Sequence, residues 1–487
     1  MKKDSLLDLV RTGQPMTGGQ QLRLAASLSV PAILAQISTI VMEYIDAAMV
    51  GSLGAQASAS IGLVATTTWL FGGLCSGVAS GFSVQVAHRV GARDNKGARS
   101  VLRQGMTSAF LFGALLALAG ACIAPFLPAW LGGEEAIRAD ATRYFLIFAL
   151  SIPFVYFFYL SAGMLRCSGN MLVPAVLGVG ACALDVVTNF FFIYPTRPLT
   201  LLGTTFTMPG LGLGVTGAAL GSVAAFTLSA AVMTYFLVVR SKELRLTEER
   251  GSFLPRRDVV GRAAKIGLPM MLQHTVMCLA QILTTVIVAP LGMFAIAANS
   301  FAITAESLCY MPGYGVSDAA TTLVGQSLGA GRPELMKRFA FVTVGLGMAV
   351  MTLMGVVMYL CAPLMMSLLS PVAEIQTLGT EVLRIEAWAE PMFAAAIVSY
   401  GVFVGAGDTF KPSLMNLFSM WAVRLTLAAA LAPVYGLKGV WIAMCVELCF
   451  RGAIFLARLM YKAFSKRGWK AGGAAMQHQA QQQDARA

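Results

Sequence analysis

The sequence predicts an all-α polytopic membrane protein, with twelve transmembrane helices in two six-helix lobes related by a pseudo-two-fold axis along the membrane normal. Three observations predict it. Of 487 residues, 57% are hydrophobic and only 12% charged, too apolar a composition for soluble domains. A window of ~20 residues, the length a helix needs to cross hydrocarbon, finds about twelve apolar spans. The chain also repeats itself at a fixed register.

The spans fall near residues 27–50, 58–87, 104–125, 143–165, 171–194, 213–239, 264–290, 294–326, 339–362, 383–405, 412–434 and 438–462. Their apolar runs are continuous rather than alternating, which argues for helices over a barrel, and a helix satisfies its own backbone in lipid. Residues 1–26 read as a cytoplasmic N-terminal segment, 27–239 as an N-lobe, 240–263 as a cytoplasmic linker and 264–462 as a C-lobe. Residues 463–487 read as a disordered cytoplasmic tail ending in MQHQAQQQDARA. The first apolar run is too long and starts too late for a cleavable signal peptide.

The net charge of +12 is distributed by side. With the N-terminus inside, roughly 28 of the 35 Lys and Arg fall on cytoplasmic segments and about five on the opposite side. Both termini are therefore expected in the cytoplasm. The basic segments 89–103, 240–265, 332–338 and 462–470 adjoin spans where anionic lipid would hold them, which argues against nucleic acid as the partner. All nine Cys lie in apolar spans without a CxxC, so they read as core residues, not a disulfide frame or a metal site.

The internal register is a shift of 238 residues (269 − 31). It aligns Pro31 with Pro269, Leu53-Gly54 with Leu291-Gly292, Gly91-Ala92 with Gly329-Ala330, and Pro125 with Pro363. It continues through Pro153 with Pro391, Gly163 with Gly401, Gly169 with Gly407 and Pro174 with Pro412. Recurring helix-breaking residues mean recurring turns. The shift then falls to 222 (436 − 214), where Gly214 meets Gly436. Six spans repeated in one orientation predict a cavity between two parallel repeats. The extra residues of the first lobe surround PTRPLTLLGTTFTMPG in an outside loop, where alternation in LTLLGTTFTM permits a small hairpin.

IDAAMVGSLGA in the first span, GLGVTGAALGS opening the sixth, TTLVGQSLGAG after the eighth and VGAGDTFKP after the tenth resemble the multidrug and toxic compound extrusion (MATE) family over nearly the whole chain. The resemblance implies a V-shaped pair of six-helix lobes that exports bulky, often cationic amphiphiles in exchange for protons or sodium ions. AHRVGARDNKGARS is loosely similar to the basic loop of major-facilitator transporters, but its counterpart GQSLGAGRPELMKR fits MATE instead. The GxGxxG at residues 212–217 follows no strand and opens a membrane span, so a dinucleotide reading fails its context.

The candidate site residues are polar groups inside spans. Glu43 and Asp46 are three apart, on one helical face. A carboxylate within the membrane normally faces a cavity or a partner, and two in low dielectric repel when both ionise, which favours taking up a cation. We read them as part of a cation-coupling site, with a hydrogen-bonding pore residue as the other reading of Glu43. The MATE resemblance supports Asp46 in particular. In the fifth span Asp185 and Asn189 are four apart, in the reverse of the order the family suggests. Asp46, Asp185 and Asn189 are expected to converge, with Ser222 as a further hydroxyl ligand; a purely structural pairing of Asp185 with Asn189 stays open.

In one branch of the family, acids on the seventh and tenth helices bind the cation, but the matching places hold Met277 and Ala395. This makes the chain more similar to the DinF-like branch, with coupling in the first lobe. Arg424 and Glu447 read as a structural ion pair between helices, His274 as a helix contact, and Trp69, Met277 and Glu306 as members of a substrate chamber. Glu386, Glu390, Asp318 and Arg451 are further span charges without an assigned role.

The function expected is a secondary active multidrug efflux transporter that exchanges cationic or amphiphilic organic compounds for H+ or Na+ by alternating access. It is expected as a monomer in a plasma membrane of the bacterial inner-membrane type, with organic substrates and lipids as partners, no cofactor and no enzymatic activity; no nucleophile with a base is visible. A flippase for lipid-linked precursors is the alternative, opposed because pyrophosphate calls for several basic groups and only Arg424 and Arg451 lie within spans. A channel suits doubled lobes less well than alternating access does.

Overall fold

The computed structural model describes residues 3–201, 204–248 and 251–465; the glutamine-rich tail lies outside the described residues. An amphipathic helix α1 (Lys3–Thr12) precedes the bundle. The first lobe comprises α2 (Gly18–Gly51), α3 (Ala55–Gly91), α4 (Asn95–Ile123), the short α5 (Leu127–Trp130), α6 (Glu135–Cys167), α7 (Leu172–Ile193) and α8 (Gly214–Tyr235). The second comprises α9 (Arg257–Val288), α10 (Met293–Gly329), α11 (Pro333–Leu369), α12 (Ala373–Glu386), α13 (Glu390–Gly405), α14 (Phe410–Phe418), α15 (Thr426–Tyr435) and α16 (Leu437–Phe464).

Among the described residues, ten helical segments are long and apolar enough to cross a membrane, and α12 with α13 makes an eleventh when that pair, bent by 60°, counts as one span. The remaining span is α10, 37 residues long, whose Asn299, Glu306 and Asp318 lower its hydropathy. Most helices outrun the apolar runs predicted for them. α2 starts at Gly18 because Thr17 and Gln20 form a capping box, the Thr17 hydroxyl accepting from the Gln20 amide at 3.3 Å while the Gln20 side chain accepts from the Thr17 amide at 3.0 Å.

Two spans depart from a continuous helix. Residues 383–405 were expected as one run, but the chain breaks between α12 and α13, with Pro391 in the first turn of α13 where its missing N–H costs no helical bond. The eleventh span passes from α14 to α15 through a π-helical segment, Ser419–Leu425, a widening of the kind often found at functional sites. The expected hairpin forms as β1 (Pro195–Leu201) and β2 (Thr204–Leu211), paired antiparallel with Pro195 opposite Leu211.

The repeat is visible in the backbone. Gly54 and Gly292, Gly169 and Gly407, and Gly214 and Gly436 share positive φ, and Arg93 at +60° occupies the place of Gly331 at +68°. The lobes interlock at the end that carries the basic loops. α3 packs on α9 while α10 packs on α2, so the first helix of each repeat lies against the second helix of the other. The contacts are reciprocal. His88 Nε2 bonds Gly405 O at 2.8 Å and Gln326 Nε2 donates to Cys167 O at 2.8 Å. A Cβ on Gly91 would lie 2.1 Å from Gln326 O, and one on Gly329 would lie 2.0 Å from His88 O. Arg166 Nη1 also pairs with Asp318 Oδ2 across the lobes at 2.7 Å. On this seam sits α1, whose Arg11 donates to Gln326 Oε1, Ser168 O and Glu243 Oε1 at 3.2, 2.8 and 2.8 Å.

Arg93 carries a side chain in the left-handed region, where its repeat partner is glycine; that conformation costs an ordinary residue about 1–2 kcal/mol. Arg93→Gly is therefore expected to stabilise the protein by about 1 kcal/mol, seen as a higher thermal unfolding midpoint in detergent. An unchanged or lower midpoint would show that the turn is relaxed as it stands.

Candidate functional site

Asp46, Asp185, Asn189 and Ser222 come together near the end of the first lobe opposite the basic loops. The i, i+4 spacing puts Asp185 and Asn189 on one face of α7, both about 1% exposed. The Asn189 amide Nδ2 donates to Asp46 Oδ1 at 3.0 Å and to Asp185 Oδ2 at 3.1 Å. One amide thus joins two carboxyl groups from different helices, and the reversed order of the pair keeps both in the cluster. Ser222 of α8 stands beside Asp185. Asp185 Oδ1 and Asn189 Oδ1 are buried with no protein donor or acceptor, leaving oxygen positions able to hold a cation. α8 approaches closely because residue 221 is glycine; a Cβ there would meet Asn189 Oδ1 at 2.1 Å. Beyond the cluster, the Tyr194 hydroxyl joins Ser52 Oγ at 2.6 Å and Met49 O at 3.2 Å, pinning α7 to α2.

Glu43 makes no hydrogen bond to that cluster, although its charge acts on Asp46. It is exposed on the preceding turn of α2 and faces the cleft between the lobes, toward Tyr159 and Tyr310. Three residues fall about one-sixth of a turn short of full helical register, so Glu43 and Asp46 share a side of α2 without pointing the same way.

Between the lobes lies a cavity of about 520 Å³, floored near the basic end by the Arg166–Asp318 pair. Its walls are aromatic and apolar, including Phe158, Tyr159, Met270, Met277, Tyr314 and Tyr400, with Gln36, Gln273 and His274 as polar points. The size and lining suit a bulky amphiphile. Met42 and Cys182 line the cavity, one helical turn from Asp46 and Asp185. Ion-holding oxygens and cavity wall are therefore adjacent on the same two helices.

A sequence model of the MatE family matches residues 31–191 and again 269–429. The two matches are offset by 238 residues (269 − 31), the register of the internal repeat. The chain belongs to the MATE family. It is similar to the probable multidrug resistance protein NorM of Idiomarina loihiensis, 27% identical over 448 residues, which span 89% of this chain and 93% of that protein. It is also similar to the NorM protein of Pseudomonas aeruginosa, 28% identical and covering 86% of this chain and 85% of the relative. Among solved structures, an outward-facing multidrug resistance MATE family transporter of the MOP superfamily matches with a TM-score of 0.85 at 20% identity, covering 95% of this chain and 99% of the other.

In this MATE chain the second lobe is built differently. Met277 lines the central cavity and Ala395 is fully buried, so neither supplies an ion ligand. Arg424 and Glu447 do pair, Nη2 to Oε2 at 2.8 Å, and the pair is a larger unit than predicted: Arg451 Nε reaches Glu447 Oε1 at 2.7 Å and Ser419 Oγ donates to the same oxygen at 2.5 Å. Glu306 opens on a smaller cavity that adjoins the central one. His274 lines the central cavity and packs against Gly73 of α3. Trp69 lines neither cavity; it is 63% exposed, about two turns beyond Ser76 on the same face of α3, so distance along the helix removes it from the chamber. Glu386 and Glu390 flank the break in the tenth span, fully buried, with all four carboxyl oxygens unpartnered. The Arg166–Asp318 contact was not foreseen, because neither residue has a partner in its own stretch of sequence.

Gly221→Ala places a methyl group against the Asn189 amide. The expected cost is about 1–3 kcal/mol of overpacking, read as a lower thermal midpoint together with a loss of protection by added H+ or Na+. Gly180→Ala, on the same helix pair with open space around it, should be neutral or slightly stabilising. Equal behaviour of the two variants would contradict the close fit at Asn189.

Proposed function

We propose that this MATE protein is a secondary active multidrug efflux antiporter, exchanging cationic or amphiphilic organic compounds for H+ or Na+ by alternating access. The observation that carries the reading is the Asn189 amide joined to both Asp46 and Asp185, one turn from the wall of the central cavity. Two carboxylates so close in a low dielectric cannot both stay ionised without a cation between them. The bound cation is H+ or Na+, held by Asp46, Asp185, Asn189 and Ser222; Glu43 serves the cleft beside them. The substrate chamber is the central cavity with Met277, joined by Glu306 from the side cavity. That related proteins are named multidrug resistance proteins supports the substrate range.

The mechanism follows from α2. Its outer part carries Asp46, and its inner part carries Ile33, which lies against Gly315 of α10 in the other lobe. Neutralising the carboxylates removes the repulsion between α2 and α7, letting α2 settle against α7 and shift its crossing with α10. Cation entry from outside thereby favours release of the organic compound, and the lobes rock to face inward. We place both termini in the cytoplasm of a plasma membrane of bacterial inner-membrane type, the basic loops against anionic lipid, and coupling in the first lobe as in the DinF-like branch. The protein acts as a monomer and as a transporter rather than an enzyme. A lipid-linked pyrophosphate has poor support, since Arg166 and Arg451 at the cavity are both already paired with carboxylates.

The test is transport of a fluorescent organic cation by purified protein in liposomes, under a Na+ gradient or a pH gradient imposed separately. One gradient should drive movement, and Asp46→Asn should reduce it to the level of empty liposomes while the protein keeps its gel-filtration profile. Full transport by folded Asp46→Asn protein sinks the site; movement with neither gradient sinks antiport.

A further inference from the structure

The central cavity is suited to an organic cation by size and aromatic lining, yet its wall carries little negative charge. Among the described residues that line it, Asp318 of α10 is the only carboxylate, and the basic side chains are Arg166, Arg451 and His274. Glu43 and Glu306 stand outside that lining. Asp318 is engaged from the other lobe: Arg166 Nη1, carried by α6, meets its Oδ2 at 2.7 Å. Both side chains of the pair still reach solvent, at 26% and 31% exposure. Arg451 is paired with Glu447. With the lobes closed at the basic end, the described lining thus offers an organic cation no unpaired carboxylate.

The pair belongs to a series at one crossing. Asp318, Thr322 and Gln326 recur every four residues along one face of α10. The Thr322 hydroxyl donates to Arg166 O at 3.1 Å and the Gln326 amide to Cys167 O at 2.8 Å. Those carbonyls lie in the last turn of α6, beyond which no further helical turn supplies donors. When the lobes part at this end, α10 takes Asp318 with one lobe and α6 takes Arg166 with the other. Arg166 remains compensated after parting, because it stands in the last turn of α6, where the carbonyl end of the helix favours a cation. Asp318 is left as a carboxylate on the cavity wall, with Tyr314 one turn before it on the same helix and also on that wall. A carboxylate beside an aromatic ring suits an organic ammonium.

A ligand shifts a two-state equilibrium only by the difference in its affinity for the two states. One carboxylate, paired across the lobes in one state and free in the other, supplies that difference. We propose, resting on the transporter reading above, that Asp318 is the counterion of the substrate's cationic centre while the basic end is open, and that Arg166 displaces the substrate from it as the lobes close. Substrate and Arg166 are alternating partners of a single negative charge. Loading at the basic end offsets the lost ion pair, and closure frees the substrate to leave on the opposite side.

The test follows gradient-driven uptake, by full-length protein in liposomes, of a dansyl amide bearing a trimethylammonioethyl group, with its neutral 3,3-dimethylbutyl isostere as inhibitor. Asp318→Asn is expected to raise the KM of the cation at least about tenfold and to leave the inhibition constant of the isostere within about twofold. Arg166→Gln should act in the other direction, since the carboxylate then keeps the cation in both states: KM and kcat fall together, by about threefold or more. Arg166→Lys, which retains the charge, should restore most of kcat. An ion pair that only held the lobes together would give Asp318→Asn and Arg166→Gln the same behaviour and would move cation and isostere alike. That result overturns the counterion role, as does an unchanged KM in Asp318→Asn protein with a normal gel-filtration profile. The double variant Arg166→Gln with Asp318→Asn strands no charge; it should show the raised KM for the cation alone, and it decides the question where the single variant does not fold. If the cation moves under neither gradient in unaltered protein, the transporter reading and the counterion fall together; if it moves but no variant separates it from the isostere, the counterion alone falls.

Discussion

Gly91 and Gly329 hold two helices of different lobes so close that no side chain fits between them, and the rest of the molecule is arranged around that crossing. Each glycine lies against the residue that its own repeat partner's neighbour supplies, Gly91 on Gln326 and Gly329 on His88. The same symmetry relates the His88 and Gln326 hydrogen bonds to Gly405 and Cys167, and the approach of Gly77 to Met271 to that of Gly315 to Ile33. In lipid, where apolar surface gives helices little reason to associate, close backbone packing of small residues and interhelical hydrogen bonds supply the attraction. They are concentrated at the basic end, so the lobes meet there and part above it. The cavity is the space that this hinge-like seam leaves.

Two copies of one frame carry different chemistry. In the first lobe, α2 and α7 put two carboxyls and an amide into a cluster sealed by Ile193, Val215 and their neighbours, and the hairpin, which among the described residues occurs only in this lobe, follows directly after α7. In the second lobe the equivalent region has no such acids, and the charges sit deeper, where the π-helical segment and the broken tenth span disturb regular helix. Pro153 and Pro391 show how context decides. The first lies inside a continuous α6, while the second starts α13 after a 60° bend. A proline permits a break; packing around it determines whether one occurs.

The crossing of α2 with α10 connects the two chemistries. α2 carries Asp46 toward one end and Ile33 at the seam, and α10 carries Gly315 at the seam and Glu306 at the side chamber. Two stiff helices in contact near their middles therefore join the ion cluster of one lobe to the charged chamber of the other, without a chain of small side-chain adjustments. Arg11 adds a clamp from outside, bonding one lobe, the other and the linker at once.

The order and approximate places of the spans, the doubling and its register, and the residues of the first-lobe cluster were legible in the sequence alone. The reason is that hydrocarbon thickness, helical periodicity and the glycine and proline demands of turns are all local constraints written in adjacent residues. Asp46, Asp185, Asn189 and Ser222 could be chosen because a polar group inside an apolar run stands out, and i, i+4 spacing reports a shared face. Only the tertiary structure decided that Glu43 faces the cleft beside Asp46 without bonding into its cluster, that Trp69 lies beyond the chamber, that Arg166 meets Asp318, and that Glu447 serves two arginines. Each of these depends on which face of one helix meets which face of another many residues away. That choice rests on close packing at glycines and on the balance of buried charges, neither of which has a signature within a single stretch of chain.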